Sequence, residues 1–469
     1  MSTTDHLASE PSITADRSLV GGKTEEERSR RRLFPPLGQR AWRLLLTDTL
    51  TFLARGLSTA FLIIYLHDVQ EMNLAVAGSI LAMSSAAGLL AFPMGAFVDR
   101  FGGGWLAILC LLLGAVGTAG FVFVHGPLVA FGAAFLVGLG MGGYLNSVAP
   151  IFASAVPADQ RGAVFGVNYA LRNVGLGFGV LIGGLVLNVH APQTFLLVFY
   201  GSAAVFVLVA GLFLILGEAS FPLSMQLASA AKGTTAEPGE NTAAGYRVVL
   251  RDRLLLAVTI LHLLLMIAGV SQLSSAFPAW TTGPAHSNTQ VVGLGFAADS
   301  FTIVGLQLFI LRFLQGRRRT RATAAAALVF AGAWLLMLFA GNMGGGPVTA
   351  GLLIGALMIF GSGETLLSPS LTALVNDLAP ERLRGRYNAV FNLGLQIGPI
   401  VAPMLSGSAL ASGLGGVLFV ALAGICGAAA LFAVWLERFI VPGINRGDTL
   451  LDAHLQKSSQ RQTEGEENG

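Results

Sequence analysis

The sequence predicts an all-α integral membrane protein, with twelve transmembrane helices in two six-helix bundles (6+6) joined by a cytoplasmic central loop. Hydrophobic residues make up 54% of the 469 residues and charged residues only 11%, against about a quarter in soluble domains. The mean hydropathy is +0.70. Twelve apolar runs each reach the roughly 20 residues that a helix needs to cross a bilayer. A soluble protein of this size is excluded, because too few charged side chains remain to cover its surface.

The predicted spans form two groups of six. In the first half they are 43–66, 75–97, 105–124, 128–152, 164–188 and 194–216. In the second half they are 254–277, 290–314, 322–341, 348–372, 387–411 and 414–436. The polar remainder lacks apolar periodicity, which predicts solvated segments. The chain is therefore divided into a disordered cytoplasmic arm (1–42), an N-terminal bundle (43–216), a cytoplasmic linker (217–253), a C-terminal bundle (254–436) and a disordered cytoplasmic tail (437–469).

Arginine placement predicts which helix ends face the cytoplasm. The N-terminal arm, the central loop and the loops after predicted helices 2, 4, 8 and 10 carry arginines, whereas the six opposite loops contain no Lys or Arg. Positively charged loops stay on the cytoplasmic side of a membrane. Both termini and the central loop are therefore predicted to be cytoplasmic. We interpret the basic loops as topological signals rather than as ligand sites.

The two halves of the chain contain a repeated sequence. The segment PADQRGAVFGVNYALRNVG follows predicted helix 4, and PERLRGRYNAVFNLGLQIG follows predicted helix 10. Aligned without a gap, they place Pro157, Arg161, Gly162 and Gly175 opposite Pro380, Arg384, Gly385 and Gly398. A six-helix unit repeated in the same orientation is typical of one large class of secondary transporters.

The end of predicted helix 2 resembles the loop signature of the major facilitator superfamily, G-x-x-x-D-R-x-G. The matching residues are Gly95, Asp99, Arg100 and Gly102. Two glycines follow where the family usually has two basic residues. The resemblance covers about residues 42–436 and implies the family fold. It also implies that Asp99 acts as a conformational latch at the cytoplasmic face, against the start of helix 11.

Predicted helix 5 resembles the glycine signature of the family's drug exporters, with Val180 in place of a usual proline. Its glycines are Gly166, Gly175, Gly179, Gly183 and Gly184. Because glycines let helix backbones approach closely, we predict that their stripe packs helix 5 against a helix of the other half. Ordinary packing is the alternative. The segment GSGETLLSPSLTALVNDLAPERLRGRYNAVFN looks like a subgroup of bacterial multidrug-exporter-like members.

Ionisable side chains inside the predicted spans are candidate site residues, because a charge at a helix centre costs about 2.5–3.5 kcal/mol to insert. With their polar neighbours, the candidates for proton coupling or for the substrate cavity are Asp48, Arg55, Arg172, Asn173, His262, Gln272, Asp299, Gln307 and Glu364. Arg55 lies about 18 Å from the cytoplasmic end of helix 1, at about 1.5 Å per residue. Asp48 lies two turns earlier on nearly the same face, so we predict that the two pair. The alternative to a functional role for Arg55 is a static ion pair that only braces helix 1.

Glu364 and His262 are the predicted proton-exchanging pair, if the family fold brings them together. Burial favours the neutral form of a carboxylate, and histidine titrates near neutral pH. A hydrogen-bonded packing histidine is the alternative for His262. Structural neutralisation of charge across helices is the alternative for Asp299 and Arg172.

Together these features predict a proton-coupled exporter of small amphipathic organic compounds that works by alternating access in the plasma membrane of a bacterium. The sequence has no Walker motif, so we expect a proton gradient as the energy source, with no cofactor, no metal and no enzymatic activity. The expected partners are a small-molecule substrate and the lipid bilayer, without nucleic acid, and the expected state is a monomer. Proton-coupled uptake of a small metabolite is the alternative function, and a non-transporting membrane sensor is also left open.

Overall fold

The computed structural model describes residues 37–91, 103–157, 160–217 and 247–446, except for the side chains of Ala163 and Leu308. The long helices of the first half are α1 (Gln39–Thr59), α2 (Leu74–Leu90), α3 (Gly103–Gly120), α4 (Pro127–Ala155), α5 (Arg161–Val186) and α6 (Gln193–Ile215). Those of the second half are α7 (Arg253–Ala268), α8 (Thr289–Leu314), α9 (Arg319–Gly341), α10 (Pro347–Leu378), α11 (Leu393–Ala411) and α12 (Gly415–Leu436). The structure is all-helical over these ranges, as predicted.

Eleven helical segments within the described ranges are long and apolar enough to cross a membrane. The remaining apolar helix, α2, is shorter over its described part, and the predicted second span continues to residue 97, outside the described residues. Large apolar side chains cover the outer faces of these helices, including Leu128, Ile215 and Leu431, which are 86%, 81% and 75% exposed. Such a surface suits lipid rather than water, so the protein is a multi-pass membrane protein.

The same packing pattern occurs in both halves. In the first half α1 packs on α5 and α6, α2 on α4, and α3 on α4 and α6. In the second half α7 packs on α11 and α12, α8 on α10, and α9 on α10 and α12. Adding six to each helix number converts one pattern into the other, which agrees with the repeat in the sequence. The halves meet where α2 packs on α11 and where α5 packs on α8. These two contacts are equivalent, because α2 corresponds to α8 and α5 corresponds to α11.

The seventh apolar run, predicted as one helix over 254–277, is interrupted. The helix ends at Ala268, a 3₁₀ turn follows at Val270–Ser274, and Ala276–Thr282 forms a separate short helix. The indole N–H of Trp334 donates to the carbonyl oxygen of Ala268 at 2.8 Å. This bond supplies a partner at the break, where an unpaired backbone group would be costly in an apolar core. Hydropathy did not reveal the break, because apolar residues continue through it.

The eleventh run is also divided, into Arg384–Phe391 and α11. The boundaries of the predicted polar ends differ slightly as well. The first helix begins at Gln39, inside the predicted arm. Residues 437–446, predicted to belong to the disordered tail, include the short helix Pro442–Arg446.

Side-chain contacts fasten that short C-terminal helix to α9. The side-chain oxygen of Asn445 accepts from the backbone N–H of Thr320 at 3.1 Å, and Arg319 donates to the carbonyl oxygen of Ile444 at 3.1 Å. Polar contacts of this kind leave no apolar pattern in a sequence, which is why the boundary was placed too early.

Candidate functional site

A cavity of about 430 Å³ lies between the two halves of the protein. Its first-half walls come from α1 to α4 and α6, and its second-half walls from α11 and the break after α7. Aromatic and aliphatic side chains alternate there with hydroxyls and amides, among them Leu81, Ser84, Ser85, Asn146, Phe199, Phe206 and Gln396. A cavity of this size and mixture is typical of sites for small organic molecules.

Arg55 is the charged side chain among the described residues that line the cavity. It is half-buried, and its guanidinium carbon lies 5.9 Å from the centre of the Phe52 ring. The predicted ion pair between Arg55 and Asp48 is wrong, because Asp48 pairs with Arg172 instead. Within the described ranges, Arg55 has no acidic partner at ion-pair distance.

Asp48 is fully buried and belongs to a network that joins three helices. The Nε of Arg172 on α5 donates to its Oδ2 at 2.5 Å, and the Nη2 donates to its Oδ1 at 3.3 Å. The hydroxyl of Tyr144 on α4 donates to the same Oδ1 at 2.8 Å. The hydroxyl of Thr51, one turn further along α1, donates to the Tyr144 oxygen at 3.3 Å. The carboxylate therefore has a charged partner and a further hydrogen bond, as a buried charge requires.

The glycine stripe of α5 allows this close approach to α1. A Cβ added at Gly175 or Gly179 would collide with the carbonyl oxygens of Thr49 and Leu53 on α1. One added at Gly183 would lie 2.7 Å from the ring of Phe61. The prediction that this stripe packs against the other half is therefore wrong, since the stripe packs α5 within its own half.

Gly184, on the next face of α5, does meet the other half. A Cβ added there would lie 2.7 Å from the Cα of Gly293 on α8, and one added at Gly177 would lie 2.8 Å from the Cβ of Ser300. Helix α5 thus presents one small-residue face to α1 and another to α8. Gly166 is exposed and has no neighbouring atom within 4 Å of an added Cβ, so it has no such role here.

Two carboxylates interact electrostatically where α8 packs on both α5 and α10. Asp299 on α8 is 5% exposed, and its Oδ1 has no hydrogen-bond partner within the described part of the chain. Glu364 on α10 lies close enough to repel it electrostatically. A Cβ added at Gly361, one turn before Glu364, would lie 2.8 Å from the Asp299 Oδ1. The hydroxyl of Tyr169 on α5 interacts electrostatically with both acids.

His262 is placed as a packing residue rather than beside Glu364. It is 5% exposed, and its Nδ1 donates to the carbonyl oxygen of Phe391 at 3.1 Å. Its ring stacks on that of Phe391, with centres 4.2 Å apart. His262 therefore satisfies the backbone where the eleventh run is divided, and the structure brings Glu364 to Asp299 instead.

The other predicted site residues are spread over three elements. Asn173 donates to the carbonyl oxygen of Tyr169 at 2.9 Å. Gln272, in the break after α7, is fully buried, and both atoms of its amide lack a partner among the described residues. Gln307 is half-buried on α8. The four residues of the predicted latch motif, Gly95, Asp99, Arg100 and Gly102, lie outside the described residues.

Two tyrosines of the site, Tyr144 and Tyr169, are not among the residues predicted from the sequence. A signal was available, because the chain has only six tyrosines and a phenol hydroxyl inside an apolar helix usually needs a hydrogen-bond partner. The cavity amides of Asn146 and Gln396 were not predicted either, because a neutral amide does not stand out in an apolar span as a charge does.

Among the described residues, the halves are in close contact at the end where the loops lack arginine. A Cβ at Gly78, near the start of α2, would collide with the carbonyl oxygen of Pro403 on α11. Where α5 meets α8, the hydroxyl of Thr289 donates to the carbonyl oxygen of Leu187 at 2.6 Å. The cavity residues Ser85 and Gln396 lie beyond the Gly78 contact, toward the arginine-rich end.

Within the described residues, no group of three or more His, Cys, Asp or Glu side chains is arranged to hold a metal ion. The arrangement offers instead a cation in a mixed apolar and polar cavity, and a pair of acids at the seam between the halves.

Comparison with known proteins gives a family. A sequence model of the Major Facilitator Superfamily matches residues 44–344 and 285–450. An uncharacterized MFS-type transporter of Bacillus subtilis, YqjV, is 24% identical over 372 residues, which cover 78% of this chain and 85% of the relative. The crystal structure of the nucleoside transporter NupG superposes with a TM-score of 0.69 at 15% identity, covering 85% of this chain and 99% of NupG.

Two further relatives have descriptive names. A Na(+), Li(+), K(+)/H(+) antiporter of Planococcus maritimus is 25% identical over 383 residues, covering 73% of this chain and 83% of that protein. The multidrug resistance protein MdtG of Klebsiella pneumoniae is 28% identical over 175 residues, covering 36% of this chain and 40% of MdtG.

Proposed function

Because this chain belongs to the Major Facilitator Superfamily, we propose that it is a secondary active transporter that exports small amphipathic organic compounds in exchange for protons. Twelve spans in two bundles of six would alternate access to the central cavity. The protein would lie in the plasma membrane of a bacterium, with both termini and the central loop cytoplasmic. It would act as a transporter and not as an enzyme.

The acid pair at the seam is the observation that carries this proposal. Asp299 and Glu364 belong to the second half, and Tyr169 of the first half interacts with both. Two like charges held close together in a buried site repel each other, and binding a proton removes that repulsion. Because Tyr169 crosses from the first half to both acids, proton binding at the pair would also change the energy of the contact between α5 and α8. That contact joins the halves, which must move against each other during alternating access.

Helix α5 connects the acid pair to the cavity. Its Tyr169 lies at the acids, and its Arg172 holds Asp48 of α1. The cavity residue Arg55 follows on the same α1 helix. A shift of α5 against α8 would thus be transmitted to the wall of the cavity through packed side chains, which provides a physical route between proton binding and substrate binding.

The tight contacts at the arginine-free end support an inward-facing state. With the arginine-rich loops on the cytoplasmic side, the Gly78 and Gly184 contacts would close the cavity toward the outside. The cavity would then be reached from the cytoplasm, where an exporter collects its substrate.

Antiport and drug export are also suggested by the antiporter and by MdtG, whose printed names state those activities. Uptake together with protons remains the competing function, and the direction of the coupled proton flux separates the two.

The test uses the purified full chain in liposomes that contain a fluorescent amphipathic probe, with a pH gradient imposed across the membrane. We expect the gradient to drive probe uphill through the wild-type protein. Glu364→Gln should abolish the uphill movement, because an amide cannot load and release a proton. Downhill exchange of probe should persist.

Glu381→Gln is the matched control, because Glu381 is an exposed carboxylate in the 3₁₀ turn between α10 and the helix Arg384–Phe391. This variant should transport as the wild type does. Undiminished uphill transport by both Glu364→Gln and Asp299→Asn would remove the acid pair from coupling. Movement of the probe that ignores the pH gradient in the wild type would contradict proton coupling altogether.

A further inference from the structure

The cavity holds one positive charge that no described acidic side chain balances. The charged group that acts on Arg55 is another cation, Arg172. Both guanidinium groups lie near the ring of Phe52, at 5.9 Å and 4.8 Å from its centre. Asp48 is engaged by Arg172 and by Tyr144. One carboxylate for two guanidinium groups leaves a net charge of about +1 at the cavity wall.

An unbalanced charge in the interior of a membrane protein is expensive and marks a contact with a partner. Guanidinium presents a planar set of N–H donors that matches the oxygens of a carboxylate or a sulfonate. A cationic ligand would instead add a third positive charge to this wall. The electrostatics therefore favour an anion.

The walls around Arg55 suit an anionic group with an apolar body. Ser58, one turn along α1, faces the same cavity, as do Ser84 and Ser85 on α2, and hydroxyls can donate to the remaining oxygens of an anion. The rings of Phe199 and Phe206 also line the cavity. They are 1% and 5% exposed, and the part of each ring that reaches the cavity offers an apolar contact to an aromatic or aliphatic group.

We propose that the cavity binds small organic anions, with one carboxylate or sulfonate on Arg55 and an apolar body against Phe199 and Phe206. This inference names the substrate class of the proposed transporter and rests on that function. It assigns Arg55 as the residue that selects substrate charge.

The test measures binding of three probes that share one ring system and differ in charge. They are 1-naphthalenesulfonate, the neutral naphthalene-1-sulfonamide and the cationic (1-naphthylmethyl)trimethylammonium. The sulfonate stays ionised at every pH used, so its charge does not vary with conditions. Affinities are measured by equilibrium dialysis of the purified full chain against a detergent blank.

The wild type should bind the sulfonate about tenfold or more tightly than the sulfonamide, because a hydrogen bond to a charged group is stronger than one to a neutral group. The ammonium probe should bind most weakly. Arg55→Gln should remove the preference for the sulfonate, whereas Arg55→Lys should retain part of it. Because Arg55 has no described acidic partner, Arg55→Gln leaves no carboxylate stranded, and its melting temperature should match that of the wild type.

Arg43→Gln is the control, since Arg43 is exposed on the same helix and does not line the cavity, so its affinities should equal those of the wild type. Equal affinities for sulfonate and sulfonamide in the wild type would overturn the inference. So would a sulfonate preference that survives intact in folded Arg55→Gln, or a preference for the ammonium probe.

Failure of the inference can be told apart from failure of the proposed function. An Arg55-dependent sulfonate preference without proton-driven transport in liposomes would leave the anion site standing and remove the coupled transport. Proton-driven transport of the ammonium or sulfonamide probe, without any sulfonate preference, would keep the transporter and overturn the anion site.

Discussion

The charge on Asp48 depends on a residue 124 positions away in the chain. The sequence indicated correctly that this carboxylate is buried and needs a cation. It suggested Arg55, because Arg55 lies two turns further along the same helix and is the nearest cation on that face. The observed partner, Arg172, comes from a neighbouring helix, and only the packing of α5 on α1 determines that choice.

We expect Arg172→Gln to destabilise the protein strongly. Removing one partner of a buried ion pair commonly costs about 3–5 kcal/mol, and here it leaves Asp48 with the Tyr144 hydroxyl alone. Adding Asp48→Asn should recover most of the lost free energy of unfolding. Chemical unfolding in mixed micelles measures both effects. A double variant no more stable than Arg172→Gln would show that the pair is not what the mutation disrupts.

His262 should be dispensable for the pH response of transport. Its Nδ1 bonds a backbone oxygen and its ring stacks on Phe391, so we assign it to packing. His262→Asn keeps a donor near the same position and should preserve both stability and the pH profile. His262→Ala should lose about 1–3 kcal/mol for the unpaired carbonyl, again with an unchanged profile.

The pH dependence of liposome transport between about pH 5 and pH 8 covers the range in which histidine titrates. If the folded His262→Asn variant shifts the midpoint of the pH–transport curve, His262 belongs to the proton pathway after all.

At the scale of helices, hydropathy predicted most spans well, because a helix that crosses a bilayer must be composed mainly of apolar residues. It could not predict the break after Ala268, since the residues on both sides are equally apolar and the bond from Trp334 comes from another helix. The glycines of α5 were also recognised, but not which neighbour each one faces. Glycines on two faces of one helix look like a single stripe until the neighbours are known.

The glycine contacts at the arginine-free end should stabilise the state seen here. Gly184→Ala places a Cβ 2.7 Å from the Cα of Gly293, and overpacking of this kind costs about 1–3 kcal/mol. The variant should therefore shift the population toward the opposite state by about tenfold. Gly351→Ala is the control, because nothing lies within 4 Å of its added Cβ.

A single cysteine in the cavity measures that shift. The chain has two cysteines, Cys110 and Cys426, which can be replaced by serine before Ser85→Cys is introduced. A membrane-impermeant thiol reagent should label this position from the arginine-rich side in the control and several-fold less in Gly184→Ala. Equal labelling in both variants would mean that the Gly184 contact does not bias the two states.

For the whole molecule, the repeat in the sequence predicted more than any single motif. The helix contacts of one half become those of the other when six is added to each number. Gly175 and Gly398, aligned in the sequence, face α1 and α7 respectively, which are equivalent helices. Gene duplication leaves such a pattern in sequence. The pairing of Asp299 with Glu364 is not part of that pattern, because the equivalent helices α2 and α4 have no acidic residue in their described ranges.

The sign of a pH change tests the central claim, proton-coupled export, most directly. Liposomes that contain the purified protein, a pH-sensitive dye and a transported naphthalene probe are diluted into probe-free buffer at equal pH. Outflow of probe through a proton antiporter must draw protons inward, so we predict acidification of the lumen, and no acidification with Glu364→Gln. Alkalinisation of the lumen would identify a symporter, and probe outflow without any pH change would contradict proton coupling.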